Sequence, residues 1–217
     1  MKKLVIFDLD GTLLNTISDL GNACNYALEK MGFSPHPISA YPFMVGNGVR
    51  RLMQRAQVDA DDKTIDKLLE YFREYYNNHN CDLTQPYKGI EQLLAELEAR
   101  GVAIAVATNK YQEAADKIIR HYFPDIHFTA ICGQVEDRPV KPDPSVIFAI
   151  LNIKPTPKRE VLMVGDSAVD MDTAHRAGVE CIGVTWGFRP VSELRKAHAD
   201  HIISVPGDII KHLDDPF

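Results

Sequence analysis

The sequence predicts an α/β protein, a doubly wound parallel sheet with a helical cap insert after its first strand. Two observations lead there. Short apolar runs bounded by turn residues alternate with amphipathic helical patterns over most of the chain. That alternation breaks between residue 16 and about residue 82, where helix follows helix. Strands covered on both faces read as continuous apolar runs, as these do.

The first run, LVIF at 4–7, stops abruptly at Asp8, and a second acid, Asp10, follows two residues later. The insert comes next. SDLGNACNYALEKMG (18–32), GVRRLMQRAQ (48–57) and DKTIDKLLEYFREYYNNH (62–79) read as helices, with a Pro-rich connector at 32–42. The segment GIEQLLAELEARG carries apolar residues at Ile90, Leu93, Leu94 and Leu97, then Gly101 as a helix stop. The strand patterns that remain lie at 102–108, 128–132, 161–165, 181–186 and 201–204. YQEAADKIIRHYF and DPSVIFAILNI supply helices between them. The expected division is a core domain of residues 1–14 and 84–217, with residues 15–83 as the cap.

Composition narrows the function classes. The chain has 217 residues, 45% hydrophobic and 25% charged, which is ordinary for a packed globular protein and argues against disorder. Its net charge of −6 supplies no basic footprint, so a nucleic-acid partner is not expected. No apolar run reaches the length of a membrane span, and LVIF is too short for a signal-peptide core. Four scattered cysteines with no C-x-x-C pair read as reduced thiols, giving a cytoplasmic expectation. A monomer or a homodimer is expected.

In open α/β sheets, ligands bind beyond the carboxyl ends of the strands. What stands there is polar at four places. Asp8, Asp10 and Thr12 follow the first strand, and Thr108, Asn109 and Lys110 end the next. Lys141 lies in RPVKPDP, and Asp166, Ser167 and Asp170 follow VLMVG. Buried like-charged carboxylates repel and need a cation. Asp8, Asp10 and Asp166 form a hard oxygen set that suits Mg²⁺. Thr108, Asn109 and Lys141 can donate to phosphoryl oxygens, with Lys141 adding a compact charge. A carboxylate can attack phosphorus, and a second can act as general acid and base. Blander readings exist: Asp-Gly as a surface turn, Thr108 or Ser167 as helix caps, Asp170 as a first-turn acid.

DLDGT, TNK, KPDP and GDSAVDMD, in this order, resemble the four motifs of the haloacid dehalogenase (HAD) superfamily, and the insert resembles its C1 cap. The resemblance implies Asp8 as nucleophile and Asp10 as acid/base, with the Asp10 backbone carbonyl also on Mg²⁺. It further implies Thr108 and Lys141 as phosphate binders, Asp166 as a metal ligand, and Thr12, Ser167 and Asp170 as supporting residues. The dehalogenase branch lacks the second acid, so a phosphatase or phosphomutase is implied. ATNK, VGNGVRRLMQRA, KPDP and GVTWGFRP are most similar to phosphoglycolate phosphatases. The expected partner is therefore a small phosphorylated metabolite. A β-phosphoglucomutase-like enzyme, an inorganic pyrophosphatase, a broad sugar- or nucleotide-phosphatase and a non-catalytic phosphate-binding regulator stand as alternatives. In the cap, Gly46, Asn47, Gly48 and Arg50, with Arg51, are the candidates for reading a substrate carboxylate.

Overall fold

The computed structural model describes residues 1–214, so the last three residues of the expected core span lie outside the described residues. Six strands form one parallel sheet. In chain order they are β1 (Leu4–Phe7), then, beyond a short linker pair β2 (Leu14–Asn15) and β3 (Gln85–Pro86), β4 (Ala103–Tyr111), β5 (Phe128–Gln134), β6 (Val161–Gly165), β7 (Glu180–Val184) and β8 (His201–Ile203). The order across the sheet is β5-β4-β1-β6-β7-β8. β1 is central, with Leu4 opposite both Ala103 and Val161. Chain order reverses at β1, which makes its carboxyl end the switch point where a crevice opens.

Alternation along the strands builds two apolar layers. Val5 and Phe7 face one way, with Ile104, Val106, Leu162 and Val164, and merge with the apolar side of the insert. Leu4 and Ile6 face the other way, with Ala105, Ala107 and Met163. The insert supplies three helices: α1 (Ile17–Lys30), α2 (Val49–Ala56) and α3 (Asp62–His79). In the core follow α4 (Ile90–Ala99), α5 (Gln112–Tyr122), α6 (Ser145–Ile153), α7 (Ala168–Ala177) and α8 (Val191–Lys196). Val146, Ile147 and Ile150 of α6, and Met171, Ala174 and Ala177 of α7, cover the Leu4/Ile6 face.

Several local features differ from the sequence expectation. The strand expected to end at Thr108 runs to Tyr111, because Tyr111 still pairs with Gln134 across an irregularity after Ala107. The connector at 32–42 holds a 3₁₀ helix, Ile38–Phe43. The β2–β3 pair is antiparallel and only two residues long on each side, too short to leave a periodic signal. It braces the two linkers of the insert. Asp19, buried in the first turn of α1, adds a second brace. It accepts from Leu83 N (3.0 Å), Thr84 N (2.8 Å) and Thr84 Oγ1 (2.7 Å), joining the exit of the insert to its entrance.

Candidate active site

The segments after β1, β5 and β6 bring four charged side chains together, Asp8, Lys141, Asp166 and Asp170. Asp8 follows β1 directly, and its backbone N–H is held by Val164 O at 2.9 Å. Lys141 Nζ reaches Asp8 Oδ1 (2.9 Å) and Asp170 Oδ1 (2.7 Å), and donates to Ala107 O (2.8 Å). Its backbone is pinned by Asn109, which accepts from Lys141 N at 2.8 Å and donates to Lys141 O at 3.1 Å. Asp170 sits in the first turn of α7. Its second oxygen accepts from Ser167 N (3.1 Å) and Ser167 Oγ (2.7 Å), which fixes the rotamer that meets Lys141. Ser167 is therefore a helix N-cap that also orients an acid.

Asp166 closes the group, held by Phe188 N at 2.6 Å. Two glycines make its position possible. A Cβ on Gly11, whose φ is +87°, would lie 2.5 Å from Asp166 Oδ2, and a Cβ on Gly187 would collide with Asp166 and with Gly11 O. Thr12 is fully buried; its carbonyl accepts from Trp186 Nε1 at 3.0 Å, and its hydroxyl has no partner among the described residues.

Asp8, Asp166 and Asp170 each place one oxygen within 4.8 Å of the others. Three buried carboxylates thus share one ammonium. Burial raises the Asp8 pKa to about 7, with Lys141 opposing and the Asp170 and Asp10 charges adding to the rise. Burial, then the charges of Asp170 and Asp8, hold Asp166 well above the usual carboxylate range. Burial works against the Lys141 charge, but Asp170 and Asp8 outweigh it and raise its pKa. The cluster is short of positive charge, its donors are all oxygen, and it is closely spaced. Those properties fit a small hard divalent cation such as Mg²⁺.

The Asp10 carboxylate stands apart from this cluster, and Asp170 takes its place there. Asp10 Oδ1 accepts from Thr16 Oγ1 (2.7 Å) and pairs with Lys110 Nζ (2.9 Å). Lys110 in turn donates to Tyr76 OH of α3 at 2.8 Å, and all three residues line the cavity. Thr108 lines it too, 3% exposed. Asn109 also lines the cavity, and its amide holds Lys141 and, at 3.0 Å, Gly46 O.

The insert closes over the cavity through the 45–49 turn. Gly46 (φ +109°) and Gly48 (φ +81°) line it; Asn47 does not, its Oδ1 accepting from Arg55 Nη2 at 2.7 Å. Arg50 is not brought to the site. Its guanidinium faces α3, against Asp66 (2.5 Å) and Asp62 (2.8 Å), and Arg51 donates to Gln54 at 3.0 Å. The reason is helix phase: Val49 and Leu52 are the α2 residues that face the cavity. The cations that do line it are Lys110 and Arg189. Neither had a role assigned from sequence, nor had Tyr76. Lys110 could have been found as the third polar residue in a row at a strand end. Arg189 has no such mark.

The haloacid dehalogenase-like hydrolase family model matches residues 5–184. A phosphoglycolate phosphatase of Mesorhizobium japonicum is 31% identical over 98% of this chain and 92% of its own length. One from Pseudomonas fluorescens strain Pf0-1 is 34% identical over 89% of this chain and 74% of its own. A crystal structure described as a predicted phosphoglycolate phosphatase from Haemophilus somnus superposes with a TM-score of 0.89 at 29% identity, covering 97% of both chains. Among the described residues no helix is long and apolar enough to cross a membrane.

Proposed function

The chain belongs to the haloacid dehalogenase-like hydrolase family, and on that premise we propose that it is a Mg²⁺-dependent phosphatase acting on a small phosphate monoester, phosphoglycolate first. The observation that carries the reading is the Asp8–Lys141–Asp170 contact beside Asp166, with a second acid, Asp10, on the same cavity but outside that cluster. Two carboxylates in different environments suit two roles. The names of the relatives support the substrate class.

Asp8 is the nucleophile. Its free oxygen attacks phosphorus in line, the bond to the leaving oxygen breaks, and an aspartyl phosphate forms. Asp10 gives its proton to the leaving alkoxide, then takes a proton from the water that attacks the aspartyl phosphate. Thr108 and Lys141 bind the phosphoryl oxygens, and the fixed ammonium of Lys141 offsets their charge in the transition state. Asp170 and Ser167 keep Lys141 in place. Asp8, Asp166, Asp170 and the Asp10 carbonyl would hold Mg²⁺. When bound, Mg²⁺ supplies the positive charge that keeps Asp8 ionised and screens the incoming phosphate. Residues 15–83 serve as the cap, excluding water from the cavity, and residues 1–14 and 84–217 carry the chemistry.

The test is phosphate release from a panel of esters, with Asp8→Asn and Asp10→Asn as controls. The expected outcome is turnover of phosphoglycolate by the wild type and none by either variant. A wild type inert on every ester in Mg²⁺, or an Asp8→Asn variant with near-normal turnover, would reject the mechanism.

A further inference from the structure

Resting on the phosphatase reading, we propose that Arg189 receives a second anionic group on the substrate, a carboxylate, and so restricts the enzyme to short phosphate monoesters that carry one.

The other cations around the cavity are already committed. Lys141 is shared by Asp8 and Asp170, and Lys110 by Asp10 and the Tyr76 hydroxyl. Arg50 and Arg51 point away. Arg189 differs. Its side chain is only 13% exposed and lines the same cavity as Asp8 and Thr108. A guanidinium has five N–H donors, and among the described residues Arg189 makes one hydrogen bond, Nη2 to Val45 O at 2.9 Å. The carboxylate beside it, Glu193 Oε1, is 3.8 Å from Nε, outside hydrogen-bond range, and already accepts from Ala168 N at 3.0 Å. A largely buried guanidinium whose one carboxylate partner stands at ion-pair distance, with most of its donors unspent, has room to bind a second anion by hydrogen bonds.

The surroundings agree. Arg55 points at the same turn, donating to Met44 O at 2.7 Å and approaching Val45 O at 3.5 Å. Two guanidiniums thus converge on one carbonyl, and burial together with the Arg189 charge makes Arg55 a weaker base. Gly46 leaves space in front of Arg189: a Cβ there would come to 3.8 Å from Nη2, and its φ of +109° disfavours any side chain. Apart from Gly48 and Tyr76, whose hydroxyl meets Lys110, the rest of the insert's share of the lining is apolar, from Leu20, Val45, Val49 and Leu52. Apolar walls exclude water and strengthen a charge pair at their edge. The planar fork of Arg matches a carboxylate in two hydrogen bonds.

The experiment compares steady-state hydrolysis of 2-phosphoglycolate and p-nitrophenyl phosphate, the latter having no carboxylate, by wild type, Arg189→Gln and Arg189→Lys. Gln can still donate to Val45 O, so it separates the charge from any role in holding the turn. In Arg189→Gln, the ratio of kcat/KM for phosphoglycolate to that for p-nitrophenyl phosphate should fall at least ~10-fold, mostly through KM for phosphoglycolate. Arg189→Lys should recover part of that ratio, since the charge remains without the fork. Equal losses on both esters, an unchanged ratio, or a wild type that hydrolyses p-nitrophenyl phosphate but not phosphoglycolate would each overturn the Arg189 assignment and leave the phosphatase reading standing. A wild type that hydrolyses neither would instead bring down the phosphatase reading, and this proposal with it.

Discussion

Asp8→Asn should stabilise the metal-free protein, and the gain should grow with pH. In EDTA, native Asp8 keeps its proton up to about pH 7, whereas the carboxyl of an unfolded chain titrates near 3.8. The native state therefore binds this proton more tightly than the unfolded state. As pH rises from 3.8 towards 7, the unfolded chain releases the proton and the native protein does not, so stability falls. Each pH unit in that window costs ~1.4 kcal/mol. Above about pH 7 both states are ionised and the loss levels off. Asn stands in for the protonated acid and escapes the loss. From pH 5 to pH 7 is two units, so the variant should gain ~3 kcal/mol on the wild type over that interval and nothing further by pH 8. Urea unfolding followed by circular dichroism in EDTA at pH 5 and pH 8 measures the difference. A stability advantage that is flat in pH, or that shrinks as pH rises, would show that Asp8 is not held protonated by burial. Saturating Mg²⁺ should reverse the order, because a ligand that binds only the native state stabilises the protein whose carboxylate it needs.

Removing divalent metal with EDTA should abolish phosphate release, and Mg²⁺ should restore it; full activity without metal would refute the reading of the Asp8–Asp166–Asp170 cluster. Combined Arg50→Ala and Arg51→Ala should change kcat/KM for phosphoglycolate less than ~2-fold, since neither residue lines the cavity and Arg50 is engaged with exposed Asp62 and Asp66. Gly187→Ala should abolish turnover and cost ~1–3 kcal/mol or more of stability, because its Cβ would collide with Asp166 and Gly11 O; a crystal structure of the variant with Asp166 unmoved would contradict this. Tyr76→Phe should cost ~1–3 kcal/mol, read from denaturant midpoints, by leaving buried Lys110 without one of its acceptors.

The core was legible in the sequence because its chemistry is tied to strand ends. A run such as Leu4–Phe7 is apolar for packing reasons, so an acid that ends it must be there for another reason. The same logic singled out Thr108, Lys141 and Asp166 without reference to tertiary structure. Legibility ended where a residue's partner is distant in sequence. Lys110 meets Asp10 and Tyr76, 100 and 34 positions away; the sheet order sets β1 beside β4, and the packing of α3 of the insert brings Tyr76. The β2–β3 pair was hidden for a different reason: two residues per strand carry no period. Asn109 was expected where the apolar run of β4 gives out, yet its amide serves Lys141 and Gly46, because two N–H donors and a carbonyl oxygen let one side chain reach two backbone segments at once.

The insert shows why charge alone is a poor guide to substrate recognition. Arg50 and Arg51 are close in sequence to the Gly46–Gly48 turn, and that proximity suggested them as carboxylate readers. Helix phase argues otherwise, and the sequence already contained it. In α2, Val49, Leu52, Met53 and Ala56 fall at the i, i+3, i+4, i+7 spacing of one apolar face, with Leu52, Met53 and Ala56 buried. Arg50 and Arg51 then belong to the opposite side, where Asp62 and Asp66 of α3 wait for the former. A helix that lowers its apolar face onto a phosphate site can exclude water but cannot neutralise an anion. Any charge that discriminates among phosphate esters has to enter from another element. The segment after β7 provides it, because Phe188 N holds Asp166 while Arg189, the next residue, holds Val45 of the insert. One short loop thus touches both the cation cluster and the turn that closes over it, which places its guanidinium where a substrate spanning the two would end.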